Sequence, residues 1–125
     1  MTNEQTPPLK SNAPLLDREG ALKRLQDDTE FLETLYNAFL EDLPNKLAAL
    51  DKAVTDGQIQ IVQRTAHSLK GASATVGTPA LREAALEMEI AARDRDAKKV
   101  GALYAELKVL AGRTSLEMTK ALEGL

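Results

Sequence analysis

Three short punctuation signals, Asp56-Gly57, Gly77-Thr78-Pro79 and Asp94-Arg95-Asp96, constrain the fold of this chain more than any other feature. They separate four segments in which apolar residues recur at alternating steps of three and four, the pattern of one apolar face on an α-helix. The segments carry, in turn, Leu32, Leu35, Phe39, Leu43, Leu47, Leu50 and Val54; Ile59, Val62, Ala66, Leu69, Ser73 and Val76; Leu81, Ala84, Ala85, Met88 and Ala92; and Val100, Leu103, Leu107, Leu110, Thr114 and Met118. Gly57 and Gly77 suit the left-handed position that closes a helix. Thr78 offers an N-cap with proline at the first helical position behind it, and Asp96 can cap the last segment. No stretch has the alternation of a strand, and no internal repeat is present. The fold class is therefore all-α, an antiparallel four-helix bundle whose short turns make consecutive helices neighbours.

A short additional helix precedes the bundle, capped by Asp17, carrying Ala21, Leu22 and Leu25, and ending near Gln26-Asp27-Asp28. Residues 1–14 mix Pro, Asn, Thr and Ser with almost no apolar content, too little to offset the entropy of ordering. They are expected to form a disordered arm ahead of a bundle domain over residues 15–125. Pro44 stands inside the first long segment. It removes the backbone bond to the Leu40 carbonyl and crowds that carbonyl, so a kink or a break is expected just before it. The 125 residues are 43% apolar, mostly Leu and Ala, which is enough for one domain with a modest core.

The segment from about Gln58 to Val76 holds the one histidine of the chain. At 100° per residue, His67 points about 130° away from the centre of its apolar stripe, which turns the imidazole toward solvent or a partner. Arg64 and Lys70 stand one turn either side of it. Gly71 occupies i+4, where a side chain would overhang the ring. A glycine inside a helix costs about 1 kcal/mol relative to alanine, so its place here asks for a reason, and close approach of another molecule is one. An imidazole with its ordinary pKa of about 6.5 keeps a substantial neutral fraction near neutral pH, and a neutral ring nitrogen is a nucleophile. If it accepted a phosphoryl group, Lys70 and Arg64 would be placed to stabilise the added negative charge.

Other chemistries find little support. The absence of cysteine excludes disulfides, thiolate catalysis and cysteine-ligated metals, and suits a reducing compartment. His67 has no histidine or cysteine companion for a metal site. A net charge of −3, with no basic surface or aromatic platform, argues against general nucleic-acid binding. The N-terminus lacks the basic and apolar regions of a signal peptide and no run approaches a membrane span, so a cytoplasmic protein is expected. Asp27-Asp28, Asp94-Asp96 and Glu87-Glu89 read as caps, turns or exposed faces rather than as a paired acid and base. No phosphate-cradling glycine loop, nucleophile elbow or ATP motif is present, so the chain should be unable to phosphorylate itself from ATP.

The stretch His67-Ser68-Leu69-Lys70-Gly71-Ala72-Ser73-Ala74-Thr75-Val76-Gly77 resembles the signature of histidine-containing phosphotransfer (HPt) domains, His-x-Leu-Lys-Gly followed by a pair of small residues and a later glycine. The match is ungapped there and extends more loosely, through helix order and spacing, from about Leu15 to Leu122. The resemblance implies a four-helix bundle that carries phosphoryl groups without being an ATP-using enzyme. Its exposed histidine would take a phosphoryl group from an aspartyl-phosphate on one receiver domain and pass it to the aspartate of another. By the same resemblance His67 is the phosphoryl acceptor, Lys70 the charge partner, Gly71 the clearance position and Ser73 a small packing residue. The implied partners are receiver domains of response regulators and of hybrid sensor histidine kinases. The implied carrier is a monomer with no cofactor of its own, the receiver bringing the magnesium. Family members often have a glutamine on the following helix, about where Glu89 falls. A carboxylate there could accept from the ring N–H and fix the same tautomer.

Two alternatives stay open at the level of sequence. One is a non-catalytic helical module that binds partners through the same face. The other is a self-associating bundle, favoured if Tyr36, Leu40, Leu86 and Ile90 form an exposed apolar patch. A start at Met1 with no kinase or receiver segment suggests a free-standing module.

Overall fold

Aspartates set the starts of three of the five helices in the computed structural model, which describes residues 12–124. Asp17 accepts from Gly20 N and opens α1 (Arg18–Arg24), Asp28 accepts from Phe31 N and opens α2 (Thr29–Thr55), and Asp96 accepts from Lys99 N and opens α5 (Ala97–Glu123). Between the two long helices lie α3 (Ile59–Val76) and α4 (Pro79–Arg93). Thr78 does not cap α4 with its side chain. Its hydroxyl donates to the Ser73 carbonyl at 3.3 Å, so α4 starts on the fixed φ of Pro79. Of the arm expected over residues 1–14, the first eleven positions lie outside the described residues. The Pro14 carbonyl accepts from Ala80 N at 3.1 Å and Ala13 packs partly buried on the core.

α2 runs through Pro44 without a break. The proline sits on the exposed face, where water can take the orphaned Leu40 carbonyl, while Leu32, Tyr36, Phe39, Leu43 and Leu50 are buried on both sides of it. A proline inside a helix costs about 3 kcal/mol. Full burial of one leucine side chain returns about 1.5–3 kcal/mol, so the core on both halves outweighs the interruption.

α2 packs on α3 and α5, and α4 packs on the same two, so the four long helices close a ring in chain order. The α3–α4 contact is the most extensive, which the small side chains of Ala84, Ala85, Ala91 and Ala92 permit. The core is built from the apolar faces read in the sequence, with Tyr36, Ala53, Ala80, Ala91, Tyr104 and Ala111 added. Tyr36 is fully buried and Leu40, Leu86 and Ile90 are half-buried, so the exposed apolar patch expected from those four residues is not there. Tyr104 ties α5 to α2 by donating toward the Leu47 carbonyl and the Asp51 carboxylate. No helix among the described residues is long and apolar enough to cross a membrane.

α1 fastens the end of the bundle where α3 turns into α4. Asp17 N donates to the Gly77 carbonyl at 2.8 Å, and Arg24 Nη2 reaches the Ala74 carbonyl at 3.3 Å. Gly77 has φ +78, the left-handed conformation, and its own N–H returns to Ser73. This clamp fixes the C-terminal end of α3, the helix that carries His67.

Candidate functional site

Val62, Ala66, Leu69, Ser73 and Val76 bury one face of α3 completely or nearly so. The geometry of the helix then leaves His67 on the open side: its side chain is 66% exposed. α4 runs close alongside, with Leu81, Ala85, Met88 and Ala92 facing the core, and Glu89 follows Met88 at the edge nearest α3. The carboxylate bridges the two helices. Oε2 lies 2.8 Å from His67 Nδ1, and Oε1 lies 2.8 Å from Lys70 Nζ. Lys70 is thus the charge partner of Oε1.

Burial raises the Glu89 pKa, but the Lys70 and His67 contacts outweigh that penalty and hold the carboxyl below its ordinary value. Near neutral pH it is a carboxylate, which can accept and cannot donate. The proton shared with His67 must therefore reside on Nδ1. In a neutral ring the lone pair is then on Nε2, the nitrogen free to react. The carboxylate thus holds both the orientation of the ring and its tautomer.

Gly71, one turn beyond His67, is exposed, and a Cβ built on it would meet nothing within 4 Å. Nothing within the described protein requires a glycine there. Arg64, one turn before His67, is exposed and makes no ion pair or hydrogen bond among the described residues. Of the residues singled out by sequence, the structure thus brings His67, Lys70 and Glu89 into contact, sets Gly71 beside them as open surface, and leaves Arg64 apart. Ser73 is fully buried with its hydroxyl unpartnered, a place where small size is what packing uses.

Two features escaped the sequence reading. Lys70 is held by Glu89 instead of standing free beside the ring, a contact between helices that spacing along either one cannot reveal. A groove of about 290 Å³ also runs between α2 and α3, lined by Leu35, Phe39, Leu43, Ala72 and Val76, with Asp42 and Lys46 contributing polar atoms. Ala72 follows Gly71 directly, so the groove begins beside the open surface. Its signal in the sequence was the row of small residues after Gly71.

Comparison with known proteins decides the family. The Hpt-domain model matches residues 34–123, most of the chain and all of the His67 region. The chain belongs to the Hpt domain family. Its fold matches the crystal structure of histidine-containing phosphotransfer protein B (HptB) from Pseudomonas aeruginosa PAO1, with a TM-score of 0.83 and 24% identity over 91% of this chain and 99% of that one. No curated protein matches the sequence. An Hpt domain is a phosphoryl carrier that works with receiver domains in phosphorelays, and the all-helical architecture here is that of the family.

Proposed function

We propose that this Hpt domain is a phosphorelay intermediate that accepts a phosphoryl group on His67 from a receiver-domain aspartyl-phosphate and passes it to the aspartate of a response regulator. The observation that carries this reading is the exposed imidazole whose Nδ1 is engaged by Glu89, leaving Nε2 toward solvent chemistry. In the step, the Nε2 lone pair forms the N–P bond as the P–O bond to the aspartate breaks, and the aspartate leaves with that electron pair as a carboxylate. The Nδ1 proton stays on the ring and keeps donating to Glu89, while the ring takes up positive charge. Transfer to the second receiver reverses the same bonds.

Gly71 gives the incoming receiver clearance, and the α2–α3 groove beside it offers apolar surface for docking. Glu89, already engaged by His67 and Lys70, does not suit the octahedral oxygen set magnesium requires, so the reading places that ion on the receiver. The domain is read as a cytoplasmic monomer.

Incubation with a phosphorylated receiver domain tests the reading. The expected result is an acid-labile, base-stable label on the wild type and none on His67→Gln. A wild type that takes no label from any cognate receiver would overturn it and favour a non-catalytic module binding through the same face.

A further inference from the structure

Glu89 meets His67 through one oxygen and Lys70 through the other, each at 2.8 Å. The carboxylate is 18% exposed and Lys70 24%, so solvent weakens their interaction less than it would a surface pair. A lone carboxylate this close to an imidazole favours a proton on both ring nitrogens, which removes the Nε2 lone pair, and it repels an approaching phosphoryl group. An ammonium on its second oxygen opposes both effects and leaves the Nδ1 hydrogen bond intact. The other cation of α3, Arg64, is exposed and makes no ion pair or hydrogen bond among the described residues.

We propose that Lys70 is a positioning residue whose task in the resting domain is to neutralise Glu89, so that the two form a matched pair and a carboxylate can hold the histidine without disabling it. The inference rests on His67 being the phosphoryl acceptor. Before transfer a neutral ring, Glu89 and Lys70 sum to no net charge. Afterwards the ring carries a positive charge beside Glu89, which remains its counter-charge.

The test uses phosphoramidate, a small donor that phosphorylates imidazole nitrogen without a docking surface, on the full chain. Lys70→Met should slow labelling of His67 by about tenfold, the effect of removing one charged contact. Glu89→Gln removes the charge but no longer forces the tautomer, since an amide can donate as well as accept. Whatever its own rate, adding Lys70→Met to it should change that rate by less than about twofold, because the lysine no longer has a charge to cancel. Nitrogen-15 spectra of the ring should show the Nδ1–H tautomer in the wild type and its loss in Glu89→Ala. Circular dichroism and thermal melting establish that each variant is folded, and Lys70→Gln repeats the measurement should the methionine variant unfold. A Lys70→Met substitution that slows the Glu89→Gln protein as much as it slows the wild type would overturn the proposal, since Lys70 would then be acting on the phosphoryl group directly. So would a Lys70→Met protein that labels at the wild-type rate. A wild type that takes no label, or a label that persists in His67→Gln, would overturn the acceptor reading and the pair with it.

Discussion

Gly71 and Gly77 lie on the same helix, less than two turns apart, and the protein uses them in opposite ways. A Cβ on Gly77 would sit 2.9 Å from the Asp17 carbonyl oxygen and 3.3 Å from Ala21 Cβ, and the backbone there has φ +78. A Cβ on Gly71 would meet nothing. Gly77 is demanded by the fold: only glycine takes that conformation without strain while α1 presses onto it. Gly71 weakens the helix and returns nothing to the protein's own packing, so its reason must be sought outside the chain. One end of α3 is therefore built for stability and its open face for a partner.

The strongest way to break this comparison is to put a side chain at the demanding glycine. Gly77→Ala forces an L-residue into the left-handed region, which costs about 1–3 kcal/mol before the contact with Asp17 is counted. The melting temperature should fall by on the order of 10 °C, while labelling of His67 by phosphoramidate, measured well below the melt, should persist. A Gly77→Ala protein as stable as wild type would show that α1 does not clamp this end.

The second test sharpens the other side. Gly71→Ala should raise stability by up to about 1 kcal/mol, the helix-propensity difference, since the added methyl has room. Gly71→Gln should also leave the melt little changed and yet slow exchange with a phosphorylated receiver by about tenfold or more, with phosphoramidate labelling unaffected. Normal receiver exchange in Gly71→Gln would remove the clearance role. Unfolding of that variant would mean instead that Gly71 serves packing.

How much of this was legible in the sequence follows the same division. The core faces could be read because burial imposes a period of 3.6 on each helix, and Asp17, Asp96 and Gly77 could be read because capping is local chemistry. The break expected at Pro44 did not occur because a local rule met a nonlocal one: burial of Leu43 and Leu50 keeps α2 helical through a residue that would end an isolated helix. Tyr36 misled the reading in a similar way, its fully buried ring placed by neighbours that single-helix counting does not see. At the site, the outward direction of His67 was a matter of angles within α3. The junction of His67, Glu89 and Lys70 was not, because it depends on how closely α4 approaches, and only the family resemblance placed Glu89 opposite the histidine.

The smallest expected effect concerns acid, and it separates the capped end of α3 from its open face by their chemistry. Burial works against the Glu89 charge, but Lys70 and His67 more than compensate and lower its pKa in the folded state. A carboxyl with a lowered folded pKa adds stability that is complete above its unfolded value and fades as pH falls through the folded one. The difference in urea midpoint between wild type and Glu89→Gln should therefore favour the wild type more at about pH 6 than at about pH 3. The clamp at Gly77 is made by the Asp17 amide and the Gly77 carbonyl, which do not titrate. The loss in Gly77→Ala should accordingly be the same at both pH values. A midpoint difference for Glu89→Gln that is likewise independent of pH would mean that the carboxylate adds only packing, and that the open face of α3 owes nothing to its charge.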